Sequence, residues 1–243
     1  AAQFELSDST VRYSKRWPVA TGVSGRVNLD GAQVRMRVDQ GMVAGATIDY
    51  TDIEMADLFT RERFVMITGE VTGPASSATD IVMSSPLKNG RAARLSDLTI
   101  DGNIMVKLDM EIGLFPNAPR GVLGQARFSG NRVHAPREKV TFDDFSGTVS
   151  FTRGDWYGEG ISATLNGTPV GLVINGGLDD PNYDSEFRLT GQSTVAEIFA
   201  ELKRAAPTTH NWLARYVGET RLIGNVPWKA VFTIPTARKD RPQ

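Results

Sequence analysis

The sequence predicts a mainly β fold, a predominantly antiparallel meander, and three observations carry that prediction. Apolar residues recur at every second position over long stretches, turn-forming pairs separate those stretches, and helical periodicity is confined to one segment. The longest alternating run sets Ile104, Val106, Leu108, Met110, Ile112 and Leu114 against Lys107, Asp109 and Glu111. Strand side chains alternate faces, so this run is a strand with one apolar and one charged face. About 11 residues at ~3.3 Å each span roughly 35 Å, against the five or six residues of an ordinary strand.

Other segments repeat the pattern. Val34, Met36 and Val38 alternate with Gln33, Arg35, Arg37 and Asp39. Ile161, Ala163 and Leu165 precede Asn166-Gly167, after which Val170, Leu172 and Ile174 resume the alternation. Val226, Trp228, Ala230, Phe232 and Ile234 close the series. Asp30-Gly31, Asn89-Gly90, Asp101-Gly102, Gly130-Asn131 and Asn166-Gly167 tolerate positive φ and are expected as tight turns between antiparallel neighbours.

One short helical insertion is expected near residues 194–217. Thr194 and Glu197 have capping-box spacing, and Val195, Ile198, Phe199 and Leu202 then form one apolar stripe. Lys203 and Arg204 suit the C-terminal end of the dipole, and Pro207 stops the helix. A second short helix is expected through Trp212, Leu213, Tyr216 and Val217, closed by Gly218. Residues 73–93 are poor in pattern. No linker divides the chain, so residues 1–236 are expected as one β-rich segment and 237–243 as a charged tail. A glycine-led strand, a turn and a second strand recur in SGRVNLDGAQVRMRV, in GQARFSGNRV, and in SGTVSF continuing to GISATLNGTPVGLVI. The spacing looks too irregular for a strict solenoid, yet repeated hairpins suggest a sheet that grows along one axis.

Composition narrows the function classes. At 243 residues, with 40% hydrophobic and 23% charged, the chain has ordinary globular usage and enough length to bury a core without disulfides or metals. No apolar run approaches the ~18 residues of a spanning helix, and no basic head with an apolar stretch opens the sequence. The absence of cysteine excludes thiol chemistry and cysteine-ligated zinc, and a net charge of −1 argues against a nucleic-acid partner.

The search for catalytic chemistry is nearly empty. His134 and His210 lack an acidic partner at a recognised spacing and read as surface-loop residues. Gly158-Glu159-Gly160-Ile161-Ser162-Ala163 fits a dinucleotide fingerprint, but the following residues alternate like a strand, whereas that motif must open a helix. Asp180, Asn182, Asp184 and Glu186 resemble the start of a calcium loop, with Ser185 in the place of the required glycine. Arg12, Lys15 and Arg16 interleave with Tyr13 and Trp17, a pattern that could contact phosphate groups or lipid headgroups, but the cluster is short and a solvated strand face is the favoured reading. Asn166-Gly167-Thr168 matches a glycosylation acceptor, although an Asn-Gly turn accounts for it. Asp143, Asp144 and Glu159 supply carboxylates for a glycan-acting enzyme, with nothing in the sequence to pair them. No enzyme, cofactor or metal is expected.

A family comes into view in the order of the motifs. FSGNRV, then FDDFSGTVSFTRGDWYGEGISATLNGTPVGLVI, then NVPWKAVFTIP resemble the AsmA-like superfamily, most closely its YhdP-type branch, with TamB-like proteins more distant. Arg16-Trp17-Pro18 followed by Gly25, Ser85-Pro86-Leu87, Gly167-Thr168-Pro169-Val170, Gly191, Gly224 and Trp228 add to the match, which spreads from Tyr13 to Pro235. The resemblance implies a periplasmic segment of a long inner-membrane-anchored envelope protein. It also implies an elongated, curled, open β-groove that shields phospholipid acyl chains in transit between inner and outer membranes. Membrane contact would lie in parts absent from this chain, and flanking segments of the longer protein would be partners. No catalytic residue is carried over.

The candidate groove lining is Val34, Met36, Val38, Ile104, Val106, Leu108, Met110, Ile112, Val170, Leu172 and Ile174. Alternation alone favours a closed β-sandwich, whose two inner faces pack about 10 Å apart, and it is the resemblance that shifts the expectation to the groove. The sandwich, a non-catalytic module presenting edges and loops to partner proteins in the envelope, is the alternative expectation.

Overall fold

The computed structural model describes residues 1–12, 17–85, 96–116, 118, 120–136, 139–152, 154–177, 183–205, 211 and 224–235. In chain order the strands are β1 (Ala2–Val11), β2 (Ala20–Asp30), β3 (Gln33–Val43), β4 (Ala46–Met55), β5 (Phe64–Pro74), β6 (Thr99–Asp101) and β7 (Asn103–Gly113). They continue with β8 (Arg120–Ala135), β9 (Val140–Thr152), β10 (Trp156–Leu165), β11 (Thr168–Gly176), β12 (Tyr183–Thr194) and β13 (Asn225–Pro235). Helix α1 (Ala75–Met83) follows β5, and α2 (Val195–Ala205) follows β12.

All strands belong to one open antiparallel sheet in the order β1-β2-β3-β4-β5-β7-β8-β9-β10-β11-β12-β13, with β6 paired to β8. Each strand packs extensively only on its hydrogen-bonded neighbours. Among the described residues no second sheet forms, so the closed sandwich is not the arrangement adopted there. The accessible surface of 15674 Å² exceeds the roughly 10,700 Å² of a compact monomer of this size. The molecule is an elongated single layer.

A single layer buries side chains only by curling. Register slips interrupt β1 between Leu6 and Ser9, β8 between Phe128 and Asn131, and β10 between Gly158 and Ile161. Such bulges insert a residue in one strand and bend it. The bent strands fold the apolar face inward, leaving Val23, Ile161, Leu172 and Leu189 at 1–3% exposure with no covering layer.

The sheet is a tandem duplication. Left-handed residues recur 122 positions apart: Asp8 and Gly130, Gly22 and Asp144, Ala44 and Asn166, Gly45 and Gly167, Gly102 and Gly224. Pairings recur with them, so that Leu6 opposite Gly25 matches Phe128 opposite Gly147, and Ser9 opposite Val23 matches Asn131 opposite Phe145. Each unit carries five strands, a helix and a long closing strand, and the first unit has the short β6 besides. Each helix is tied in the same way: Ala75 N–H donates to Gly102 O at 3.0 Å, and Val195 N–H to Gly224 O at 3.3 Å. Each unit also has its own core, one around Val23, Val38 and Ile48, the other around Phe145, Ile161 and Val170. The repeat therefore has a strict period, against the irregular one read from the sequence. GQARFSGNRV is not a repeat hairpin: it lies within the single bulged strand β8.

Two of the expected turns are corrected by one side chain. Asp101-Gly102 is a kink between β6 and β7, which run along the same edge of β8, and Gly130-Asn131 is the bulge of β8. Asn131, 2% exposed, bridges them. Its Nδ2 donates to Asp101 O at 2.9 Å and Asn103 O at 3.0 Å, while Oδ1 accepts from Ser129 N–H at 2.8 Å. Gly102, at φ +92°, faces that amide so closely that a β-carbon would sit 2.8 Å from Nδ2. Side-chain groups here replace missing ladder partners. Asn166-Gly167 does form the expected hairpin, at φ +50° and +82°, and Asp30-Gly31 becomes a Gly31-Ala32 turn between paired Asp30 and Gln33. Asn89-Gly90 lies outside the described residues.

Helix α2 bears out the capping box. Thr194 N–H donates to Glu197 Oε2 at 2.8 Å, and Glu197 N–H to Thr194 Oγ1 at 3.2 Å. Helix α1, in the segment read as poor in pattern, is a second insertion; Ala75, Ser77 and Val82 are its buried residues. The expected helix at 212–217 and the 237–243 tail lie outside the described residues.

Two outcomes follow from these contacts. Asn131→Ala removes three backbone partners at once and is expected to lower unfolding free energy by about 2–4 kcal/mol, read from urea denaturation. The Thr194 N–H bond holds the Glu197 carboxyl below the usual carboxylate range. The cap is therefore complete above the ordinary glutamate pKa and is lost as pH falls through the lowered folded value. The Thr194 amide proton resonance should titrate in that acid window in the native chain and stay flat in Glu197→Gln.

Candidate functional site

Residues directly opposite in an antiparallel ladder share a face, so the register traces the apolar surface residue by residue. One row runs Phe4, Val27, Met36, Ile53, Ile67, Met110, Val122 from β1 to β8 without a polar interruption. A second runs Val71, Val106, Ala126, Val149. A third runs Leu108, Gly124, Phe151, Trp156, and the Trp156 indole lies over Gly176 of β11. Gly176 shares its face with Ile174, Leu172 and Val170, which continue to Phe187, Leu189 and Gly191 on β12.

All eleven residues expected as lining thus lie on one face, although they come from three strands far apart in the chain. They divide into two groups. Val170, Leu172 and Ile174 are 3–7% exposed and already packed in the second unit's core. Val34, Met36, Val106, Leu108 and Ile112 are only half-buried, while Val38, Ile104 and Met110 are buried. The half-buried group is where apolar surface remains open to another molecule.

Glycines keep the face low. A β-carbon at Gly124 would stand 2.2 Å from the Phe151 ring, at Gly176 2.2 Å from the Trp156 ring, and at Gly191 2.6 Å from the Trp228 ring. Each ring therefore lies in the space a side chain on the next strand would need. Trp228 is further fixed by donating from Nε1 to Ser193 Oγ at 2.9 Å. A recess of about 890 Å³ opens around Ala163, Val170, Gly191 and Trp228. These partners, with Val27, Ile53, Ile67 and Val122, were not among the expected lining residues. On β5 the glycines Gly69 and Gly73 interrupt the alternation that would have shown Ile67 and Val71.

The opposite face is charged and paired across strands. Arg35 and Glu54 meet at 3.1 Å, Lys107 and Glu70 at 3.3 Å, Arg132 and Asp143 at 3.1 Å, and Arg37 bonds Asp52. Exposed pairs of this kind contribute only about 0–1 kcal/mol each; they keep the outer face wet. The sheet has two dissimilar rims. Alternating strand direction puts the 44–45 and 166–167 turns and both helices along one rim, and the 31–32 turn and the 56–63 and 114–119 connections along the other.

Among the described residues the other sequence candidates do not assemble a catalytic site. Gly158–Ala163 lies within strand β10, not at the start of a helix. His134 is half-buried in β8, not in a surface loop, with Nδ1 2.8 Å from Thr141 Oγ1. Asp143 pairs with Arg132, Asp144 occupies a left-handed bulge and accepts from Thr164 Oγ1 at 3.4 Å, and Glu159 bonds Tyr157, whose hydroxyl it pushes up in pKa. Asp180 and Asn182, the side chain of Asp184, Tyr13, Lys15, Arg16 and His210 lie outside the described residues. Among the described residues no cluster of three metal-ligating side chains occurs, and no helix is long and apolar enough to cross a membrane.

Among the described residues the chain is an open, curled antiparallel β-sheet with one apolar and one charged face, and no catalytic group is assembled on it. The chain belongs to the YhdP family, whose pattern it matches over residues 1–241. It is 21% identical over 174 residues to the intermembrane phospholipid transporter YhdP of Escherichia coli strain K12, a match covering 70% of this chain and 14% of that relative. No solved structure matches the chain. The expectation of a non-enzymatic chain agrees with a family whose relative is named as a transporter.

The glycine floor is testable directly. Gly124→Val forces the Phe151 ring off the face and is expected to cost about 1–3 kcal/mol. Gly121→Val, on the charged face, where a β-carbon has nothing closer than 3.6 Å, should change the urea midpoint little.

Proposed function

We propose that this chain is a periplasmic segment of an inner-membrane-anchored envelope protein, and that it shields phospholipid acyl chains passing between inner and outer membranes. The observation that carries the reading is the unbroken apolar row from β1 to β8, most of it half-buried, with no second layer packed on it among the described residues. The family and the name of the relative support phospholipid as the cargo.

The physical argument concerns a transfer barrier. Exposing a methylene to water costs about 0.8 kcal/mol, so a sixteen-carbon chain in solvent faces roughly 13 kcal/mol. A strip that remains apolar from strand to strand lowers that barrier at every point along the way, and it needs no reactive group. Twelve neighbouring strands at ~4.8 Å give a strip of about 50 Å along the ladder direction. Val34, Met36, Val106, Leu108 and Ile112 would touch the acyl chain, while Val170, Leu172 and Ile174 would support the wall behind it. The polar outer face would keep the loaded segment in water, and flanking segments of the longer protein would extend the strip.

Native mass spectrometry of the chain purified without detergent, with extraction of co-purifying lipid, tests this reading. Phospholipid near one equivalent is expected, falling at least about tenfold in Leu108→Asp, since a buried charge beside the chain costs more than the 1.4 kcal/mol of a tenfold change. Circular dichroism establishes that the variant is folded, and Val106→Asp provides a second site. Unchanged loading in both folded variants, or no lipid even after incubation with phospholipid vesicles, would overturn it.

A further inference from the structure

The third apolar row of the inner face reaches a hydroxyl. From Leu108 it runs through Gly124, Phe151 and Trp156 to Gly176, and the residue opposite Gly176 on the next strand is Ser185 of β12. Ser185 alternates with Phe187 and Leu189, which puts its side chain on the inner face with theirs. It is 0% exposed, and its Oγ has no hydrogen-bond partner among the described residues. A buried hydroxyl left unpaired costs stability, and folded proteins keep few of them.

A second unused donor stands beside it. The half-buried Trp156 indole lies over Gly176, its Nε1 2.2 Å from where a β-carbon of that glycine would be. Among the described residues that N–H meets no acceptor. The same three residue types meet again near the helix-bearing rim, and there the bond is made: Trp228 lies over Gly191 and donates to Ser193 Oγ at 2.9 Å. Ser193 follows Gly191 on one strand, whereas Ser185 is a strand beyond Gly176, and the corresponding bond does not form. The Trp156–Ser185 pair is at the opposite rim, where β10 and β12 begin and β11 ends. The first unit has no copy of it. The residues 122 positions earlier are Val34 and Arg63, and the Arg63 guanidinium donates to Leu58 O at 3.2 Å.

We infer that Ser185 Oγ and Trp156 Nε1 form a site for the ester carbonyl of an acyl lipid whose chain lies along the row toward Leu108. The inference rests on the acyl-shielding role proposed above and adds to it a fixed polar point. A carbonyl oxygen has two lone pairs and accepts from both the O–H and the N–H. No cation stands in the row, so a neutral ester fits it better than a free carboxylate, whose charge would be desolvated without a counter-ion. From β7 to β12 the row crosses six strands, about 24 Å at ~4.8 Å spacing. That length takes an extended acyl chain with its carbonyl at the rim and its headgroup beyond the rim in water. Ser185 Oγ is closed to water in this arrangement; the ester reaches it when the indole, which no hydrogen bond holds, shifts from its place over Gly176. An acyl chain then slides freely over the first unit and pauses at one place in the second.

The test compares three probes on the full chain by native mass spectrometry titration: a diester phosphatidylethanolamine, its diether analogue with the same chains and headgroup, and free palmitate. The diester is expected to bind about tenfold tighter than the diether, which lacks the carbonyls. Ser185→Ala should abolish that preference by weakening the diester alone, and Trp156→Phe, which keeps a ring over Gly176, should cut it to about threefold. Ser185→Ala should also raise the urea midpoint of the lipid-free chain, because it removes an unpaired buried group; a hydroxyl kept for packing would give a fall. Equal affinity for diester and diether, a preference that survives Ser185→Ala in folded protein, or a fall in that variant's urea midpoint overturns the inference and leaves the acyl-shielding role standing. So does palmitate binding tighter than the diester, which would make the site one for a carboxylate. Binding of none of the three probes overturns the shielding role and the inference together.

Discussion

The register of the backbone ladder is the constraint on which everything else in this molecule rests. In a two-layer protein a packed partner holds each face in place; here, among the described residues, the sheet has no partner layer. A slip of one residue would turn every apolar side chain of a strand to the charged side and every charge inward. Several features resist that slip. Cross-strand ion pairs fix β3 to β4 and β5 to β7 from outside. On the inside, aromatic rings lie over the glycines of neighbouring strands and fit only where the glycine is.

Curvature follows from the same ladder. Bulges at matching places in both units bend the strands, and the bend lets a single layer bury a core in each unit. Asn131 illustrates the cost of bending and how it is met: the kink and the bulge interrupt the ladder, and one buried amide satisfies the carbonyls and the amide left over. Both helices sit on one rim, tied by the same hydrogen bond to a left-handed glycine. Duplication thus makes a sheet that is asymmetric across its width and periodic along its length.

Much of this was legible in the sequence because a half-buried strand advertises itself by period two. The runs on β3, β7 and β11 showed in the sequence as strands with one apolar face, and the Thr194–Glu197 spacing marked a real cap. What escaped did so for physical reasons. Helix α1 is a nine-residue run rich in small and polar residues, held by docking and one backbone bond rather than by an apolar stripe. Gly102 and Gly130 looked like hairpin turns because a left-handed residue serves a kink or a bulge as well as a turn; only the partner, Asn131, distinguishes them. The strict period was hidden because its units share backbone conformation more than side chains. Alanine and asparagine, or aspartate and glycine, occupy equivalent left-handed positions.

The central claim is that an acyl chain lies on one face of this sheet and not the other, and alternation along β7 allows that to be measured within a single strand. A photoreactive amino acid placed in turn at Val106, Lys107, Leu108, Asp109 and Met110, in chain loaded with phospholipid, reports contact residue by residue. Lipid adducts at positions 106, 108 and 110 with little at 107 and 109 are the predicted result. Adducts of equal yield at all five positions, or concentrated at 107 and 109, would contradict it.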